Sequence, residues 1–311
     1  MCYIQKMRII TLLPSATEIA FALGLEDEIV GVTHECDYPA AAKSKPVLIE
    51  SALGDTSKLS PKEIDSRLRE LLKSGESAYR FKEGAFTAAK PDLIITQGLC
   101  DVCAVPKHFV IQEIRKAKIE PQILSLDPED LTGILTDIRR VGEITGKVDK
   151  AGEIVDALEE RVGEVAGRTR DLPTAKRPSV AVIEWIDPIY FAGHWVPEMI
   201  DLAGGRDALA KPGERSRAIE WKELLDAAPE IIIVAPCGFD VNGARKQASE
   251  LKSRAGWSEL PAVKSNRVYL MDANATLSRP GPRIVDGLED LAQIIQPELF
   301  PVRGKARWER L

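Results

Sequence analysis

The sequence is poor in aromatics, at 5%, and holds only three histidines and five cysteines among 311 residues. It has no apolar run of about 18 residues, so no segment reads as a bilayer-spanning helix. It also lacks an excess of positive charge. Lys and Arg number 42 against 48 Asp and Glu, a net charge of −6, which argues against nucleic acid or an anionic membrane as the main partner. GxGxxG, the Walker loop and HExxH are missing, so neither a nucleotide cradle nor a zinc-peptidase helix is indicated. An odd cysteine count argues for thiols or ligands in a reducing compartment rather than a disulfide framework. The apolar run Ile9 to Leu13 is too short for a secretory core, and Pro14 and Glu18 keep it from being longer. Cys2 has no apolar stretch before it to make it a lipoprotein cysteine. The sequence as it stands predicts a cytoplasmic protein, periplasmic only if a leader had been removed.

What is present is core material. Hydrophobic residues make up 44%, enough for two domains of ordinary size. From Asp127 to Asp171 there is no strand-like sequence. Leu131, Ile134, Leu135, Ile138 and Val141, then Ile154, Val155, Leu158, Val162 and Val165, recur at helical spacing. Asp127-Pro128 reads as a helix start, Thr145-Gly146-Lys147 as a break, and Pro173 as the end. The reading is a helical spine over 127–172 between an N-terminal lobe (1–126) and a C-terminal lobe (173–311).

Continuous aliphatic strands alternate with helices on both sides of the spine, which predicts parallel sheets covered on both faces. In the first lobe the strands are Arg8 to Leu13, Ile29 to Thr33, Pro91 to Thr96 and Gln122 to Leu126. In the second they are Ser179 to Glu184, Pro229 to Val234 and Val268 to Met271. Ser15 with Glu18 is expected to cap a helix through Gly24, and Ser60 with Glu63 to open another. Asn274 to Arg283 reads as a loop, Ile284 to Ile295 as a helix, and Arg303 to Leu311 as a loosely docked tail. Lys90-Pro91-Asp92 before one aliphatic strand matches Ala228-Pro229-Glu230 before another, as a duplicated lobe would.

In open parallel sheets ligands bind beyond the carboxyl ends of the strands. Those positions hold Pro14 and Ser15, then His34, Cys36, Asp37 and Tyr38, then Gln97, Cys100 and Cys103. In the second lobe they hold Trp185, Phe191, His194 and Trp195, then Cys237 and Phe239, then Arg279 and Arg283. Two of three histidines and four of five cysteines fall there, which makes these loops the candidate site. Cys100-x-x-Cys103 has the spacing of a zinc or redox pair. Cys36, Cys237, His34 and His194 are scattered further metal candidates, and half-buried thiols are the plainer reading. Trp185, Phe191 and Trp195 lie in a run broken by Pro188 and Gly193, so ligand contact is preferred there to core packing. Arg279 and Arg283 suit a carboxylate or phosphate, or surface ion pairs. Ser15 suits an anion at a helix start, or a plain cap.

These residues are similar to those of the class III periplasmic-binding proteins, in particular the cobalamin-binding branch of the iron–siderophore and cobalamin binders. The resemblance runs from Arg8 to about Phe300. It rests on Leu12-Leu13-Pro14-Ser15-Ala16-Thr17-Glu18, on Gly31-Val32 with Asp37-Tyr38-Pro39, on Lys90-Pro91-Asp92-Leu93-Ile94, on the spine and on Pro229 to Val234. It implies two Rossmann-like α/β lobes with parallel sheets, bridged by a long α-helix, with a ligand cleft between them and delivery to an ABC permease. Pro14, Ser15, Asp37 and Tyr38 would face the ligand from one lobe, and Trp185, Phe191 and Trp195 from the other. Glu83 and Glu223 would be the acidic permease contacts. The motifs His34-Glu35-Cys36-Asp37-Tyr38-Pro39, Cys100-x-x-Cys103, Gly193-His194-Trp195 and Pro236-Cys237-Gly238-Phe239 resemble a cytoplasmic-type subgroup. An extra helical insertion spans about 57–86.

The expected function is non-catalytic binding of a cobalamin-like corrinoid or related metal chelate, with no cofactor required beyond that bound group. A metal-ion binder using the Cys/His residues, or a cysteine-dependent intracellular enzyme on the same scaffold, are the alternatives.

Overall fold

A computed structural model describes residues 6–56, 59–98, 105, 107–302 and 306–311. The chain divides into two compact units. One holds Met1–Leu59, Ser66–Pro128 and Leu135–Val155; the other holds Ser60–Asp65, Glu129–Ile134 and Asp156–Leu311. The fold is that of a two-lobed α/β binding protein.

In chain order the first half runs β1 (Ile9–Thr11), α1 (Pro14–Ala22), β2 (Ile29–Thr33), β3 (Val47–Ser51), α2 (Pro61–Lys73), β4 (Tyr79–Phe81), α3 (Ala85–Ala89), β5 (Leu93–Thr96), α4 (Lys107–Ala117) and β6 (Gln122–Ser125). They make one six-stranded sheet in the order β4-β3-β2-β1-β5-β6, parallel except for β4. Its central strands β1 and β5 are buried along their whole length, as a doubly covered parallel sheet requires. Ile10, Leu12, Ile49 and Ile94 anchor the core with Phe86 and Val110. Each such side chain contributes roughly 1.5–3 kcal/mol by leaving water.

Several expectations are corrected here. Residues 43–60 hold β3, and the 57–86 insertion is not only a helix but carries β4 and the start of α3 as well. Ser60 and Glu63 do form a reciprocal cap, Ser60 N to Glu63 Oε2 at 2.8 Å and Glu63 N to Ser60 Oγ at 3.3 Å. Ser15 does not cap α1. Leu13 is the N-cap and Pro14, with its fixed φ, takes the first helical position, leaving Ser15 buried one residue further in.

The two spine helices are α5 (Leu131–Ile144) and α6 (Val148–Thr169). Helix α5 begins later than Asp127-Pro128 suggested, because Asp130 supplies the cap, accepting from Gly133 N at 2.6 Å. Asp127 instead accepts from Gly98 N.

The second half runs β7 (Ser179–Ile186), β8 (Ile189–Phe191), α7 (Val196–Leu202), β9 (Arg206–Asp207), β10 (Arg217–Ala218), α8 (Trp221–Ala227), β11 (Ile231–Val234), α9 (Val241–Lys252), α10 (Pro261–Lys264), β12 (Val268–Met271), α11 (Ala273–Thr276), α12 (Ile284–Ile295) and β13 (Trp308–Arg310). The sheet order is β10-β8-β7-β11-β12-β13, with β9 beside the start of β7. Strands β7, β11 and β12 are parallel; β8, β10 and β13 are antiparallel additions. Arg303 to Leu311 is therefore not a loose tail throughout: β13 pairs with β12, and Leu311 packs on the core. Helix α12 lies so close to α11 that a Cβ on Gly287 would overlap the Thr276 carbonyl oxygen. Arg161 of α6 donates to Asp286 (2.6 Å) and Glu289 (2.8 Å) of α12, fastening the two helices.

The duplicated motif has a structural counterpart. Lys90 and Ala228 both end a helix in the left-handed region, at φ 43°. Asp92 then accepts from the backbone of Arg8, just before β1, and Glu230 from that of Ser179, the first residue of β7, each at 2.8 Å. In each unit one acid after one proline thus fixes the edge at which two parallel strands begin.

Candidate functional site

In the first unit the chain leaves β1 through Leu12, whose N–H donates to Ile95 O at 2.8 Å, and enters α1 directly. This tight turn buries Pro14 and Ser15. Beyond β2, Cys36 is also sealed, at 4% exposure. Thr17 Oγ1 donates to its sulfur at 3.1 Å and Thr33 Oγ1 lies 3.3 Å away, with Thr11 and Thr17 hydroxyls 2.7 Å apart. Burial pushes the Cys36 thiol up, against the pull of those hydroxyls. Such a thiol is a poor nucleophile and a poor metal ligand.

The residues around Cys36 point outward. His34 and Asp37 are exposed, and Tyr38 keeps 46% of its surface on a cis Tyr38–Pro39 bond. Tyr79 of β4 donates to Glu35 at 3.4 Å, and its ring lies 6.2 Å from His34. Gln97, beyond β5, is buried. Cys100 and Cys103 lie outside the described residues. Among the described residues, the candidates His34, Asp37 and Tyr38 are the exposed ones beyond the first unit's strands.

In the second unit Trp185 lies within β7, not in a loop, because β7 extends to Ile186 and turns through a cis Asp187–Pro188 bond into β8. Its ring is half-buried, Nε1 donates to Asp187 O at 3.2 Å, and Phe239 stands 6.1 Å away. Cys237, also half-buried, is fixed between them in sequence by its N–H on Glu184 O, 2.9 Å. This pair with its thiol marks the carboxyl ends of β7 and β11.

Phe191 and Trp195, expected to face a ligand, are both buried. Phe191 is 2% exposed, with the Arg217 guanidinium 4.8 Å above its ring. Trp195 is 6% exposed and donates to Leu277 O at 2.8 Å. Antiparallel β8 returns along β7, which turns these rings into the packing. The same return places Gly193 and His194 under a loop that sequence reasoning missed, residues 211–216. His194 N donates to Glu214 O, Gly213 N to His194 O (3.0 Å) and Gly193 N to Ser216 Oγ (3.0 Å). The Pro212-Gly213 dipeptide was the available signal for that turn. Arg279 is half-buried, and Arg283 reaches Asn274 O at 3.5 Å.

Among the described residues no group of three or more His, Cys, Asp or Glu is arranged to hold a metal ion.

Residues 9–275 match the family described as "Periplasmic binding protein". The chain belongs to this family. It is 27% identical over 299 residues to the uncharacterized ABC transporter substrate-binding lipoprotein YvrC of Bacillus subtilis, covering 95% of this chain and 82% of that one. It is 23% identical over 296 residues to the vitamin B12-binding protein of Vibrio parahaemolyticus, covering 92% and 88%. The periplasmic heme-binding protein RhuT of Roseiflexus superposes with a TM-score of 0.69 at 22% identity, over 94% of this chain and 99% of that one.

The chain is thus a substrate-binding protein of the ABC-transporter class, a class that works with a permease, and not an enzyme. The expected cytoplasmic location is overturned: the relatives are periplasmic or lipoprotein substrate-binding proteins. The apolar run at Ile9 that argued against a leader is β1 of the first sheet, which speaks to fold and not to address. No helix among the described residues is long and apolar enough to cross a membrane.

Proposed function

We propose that this protein binds a cobalamin-like corrinoid or a related planar metal chelate. The observation that carries the reading is the half-buried Trp185–Phe239 pair, at the carboxyl ends of two neighbouring parallel strands. Aromatic faces left accessible on a rigid strand end suit a broad, flat, largely apolar ring. Tyr38, on its cis-proline turn, offers a similar surface in the first unit, with His34 and Asp37 as polar neighbours. The vitamin B12-binding and heme-binding proteins among the relatives support the same ligand class.

For a permease partner, Glu83 stands exposed on the insertion. Glu223 already bonds Arg217 at 3.1 Å and caps α8 through Glu220 N, so a permease would have to compete for it.

Titration of the purified protein with cyanocobalamin, cobinamide and hemin, followed by calorimetry and visible absorbance, tests the reading. Saturable binding at about 1 μM or tighter, about −8 kcal/mol, is expected for one of them, weakened at least about tenfold by Trp185→Ala. No heat and no spectral change with all three would overturn it.

A further inference from the structure

Helix α9 (Val241–Lys252) meets the aromatic pair at both of its ends. At its start Asp240 is the cap, accepting from Gly243 N at 2.8 Å. Phe239, the residue before the cap, lies back over Gly243. A Cβ on Gly243 would come within 2.6 Å of Phe239 Cδ1 and 2.9 Å of Phe239 Cβ, so no side chain fits there without moving the ring and its stem. Glycine weakens a helix relative to alanine. The first turn of α9 accepts that weakness at the one place where Phe239 needs a flat seat.

Just past the other end of α9 stands Arg254. Its Nη2 donates to Ile186 O at 2.8 Å, and its guanidinium carbon lies 5.2 Å from the centre of the Trp221 ring. Trp221 stacks on Trp257 at 6.3 Å, and its Nε1 donates to Ala255 O at 2.8 Å. Trp257 N donates to Arg254 O at 3.2 Å. The arginine is thus held at both backbone and side chain where it reaches β7. The carbonyl that it holds leads into the turn from β7 to β8. The next carbonyl, Asp187 O, accepts the Trp185 indole N–H at 3.2 Å. Arg254 therefore ties down the turn to which Trp185 is itself tied.

The geometry of the pair says how it would meet a ligand. The ring centres are 6.1 Å apart and the planes are tilted by 48°. A plate held between two rings needs parallel planes about 7–8 Å apart, two contact distances. Trp185 and Phe239 are too close and too tilted for that. They offer their surfaces together to one face of a flat molecule.

Resting on the chelate reading above, we propose that Gly243 and Arg254 are positioning residues for that one-faced platform. They set the spacing and tilt of Phe239 and Trp185 before the ligand arrives, so little side-chain freedom is lost on binding. Both act through the two rings, and together they make α9 the brace of the site.

The test measures affinity for cyanocobalamin, cobinamide and hemin in two double-mutant cycles, with a urea midpoint for every variant. Gly243→Ala presses on Phe239. Arg254→Met removes the donor to Ile186 and keeps an apolar stem against Trp221. Each should weaken whichever probe the wild type binds by about fivefold. On a Phe239→Ala background Gly243→Ala should weaken it by less than about twofold, and so should Arg254→Met on a Trp185→Ala background. A merely structural role would give the same factor with the ring present or absent. Wild-type binding of a probe, with both variants binding as tightly as the wild type or with factors unchanged when the rings are removed, overturns the inference and leaves the chelate reading standing. Wild-type binding of none of the three overturns both.

Discussion

The two units begin their sheets in the same way and end them differently. At the amino ends, Asp92 and Glu230 make the same carboxylate-to-backbone bond after the same Pro-acid step. At the carboxyl ends, each unit places a cysteine just beyond a parallel strand, but Cys36 is sealed among threonine hydroxyls while Cys237 is half-buried. Cys237 is held by its N–H on Glu184 O, with Trp185 next to Glu184 in the chain and Phe239 close to Cys237. The repeated end carries only backbone geometry, so one solution serves twice. The divergent end is built from loops, whose surroundings are free to differ. This separation of scaffold from site lets a duplicated architecture carry two unlike sets of loops.

The largest effect expected concerns the aromatics of the second unit. Trp195→Ala removes a buried ring and its bond to Leu277 and should destabilise by about 3–5 kcal/mol. Urea unfolding reads it directly. Trp185→Ala should cost far less stability while losing ligand; equal losses in unfolding for the two would erase the distinction between core and contact ring.

Next comes a pH effect. Burial pushes Asp137 up to about 6, against Arg140, which donates to its Oδ1 while Oδ2 has no partner. The folded state therefore holds a proton that the unfolded chain has already released, and stability falls as pH rises from about 4 to about 6. Asp137→Asn should raise stability at pH 7–8 by up to about 3 kcal/mol, with no gain at pH 4. In the second unit burial pushes Asp207 up to about 6 as well, but Leu209 N and Ala210 N donate to it. Asp207→Asn should gain less, and a larger gain there than at Asp137 would contradict this account.

Smaller still is the shared staple. Asp92→Ala and Glu230→Ala should each destabilise by about 1 kcal/mol, measured as shifts in the unfolding midpoint. A clear inequality would break the structural equivalence of the two strand starts. Smallest in energy is the thiol contrast. Under native conditions a maleimide probe followed by peptide mapping should modify Cys237 and spare Cys36 until the protein unfolds. Modification of Cys36 in the folded protein would show that its threonine cage opens.

Much of the fold was legible in the chain. Aliphatic runs at Leu93, Ile231 and Val268 identified the central strands, because a strand covered on both faces has no reason to alternate. Helical spacing from Leu131 to Val165 marked the two spine helices, and Ile284 to Ile295 matched α12 to the residue. The short strands β4, β8, β10 and β13 were not legible, since two or three residues carry no period and their pairing depends on a neighbouring strand.

The site was legible only as a set of positions. The residue types at the strand ends, His34, Cys36, Tyr38, Trp185, Cys237 and Phe239, follow from topology and are written in the sequence. Which of them are open does not. Cys36 and Tyr38 are two residues apart, and Trp185 and Phe191 six; in each pair one member is largely sealed and the other retains accessible surface. Thr17 from a helix closes over the first pair's cysteine, and the hairpin with Arg217 closes over Phe191. Layers, strand starts and candidate residues were set by local patterns along the chain. Exposure was set by the folded arrangement, because burial depends on what elements far apart in the chain bring against a side chain.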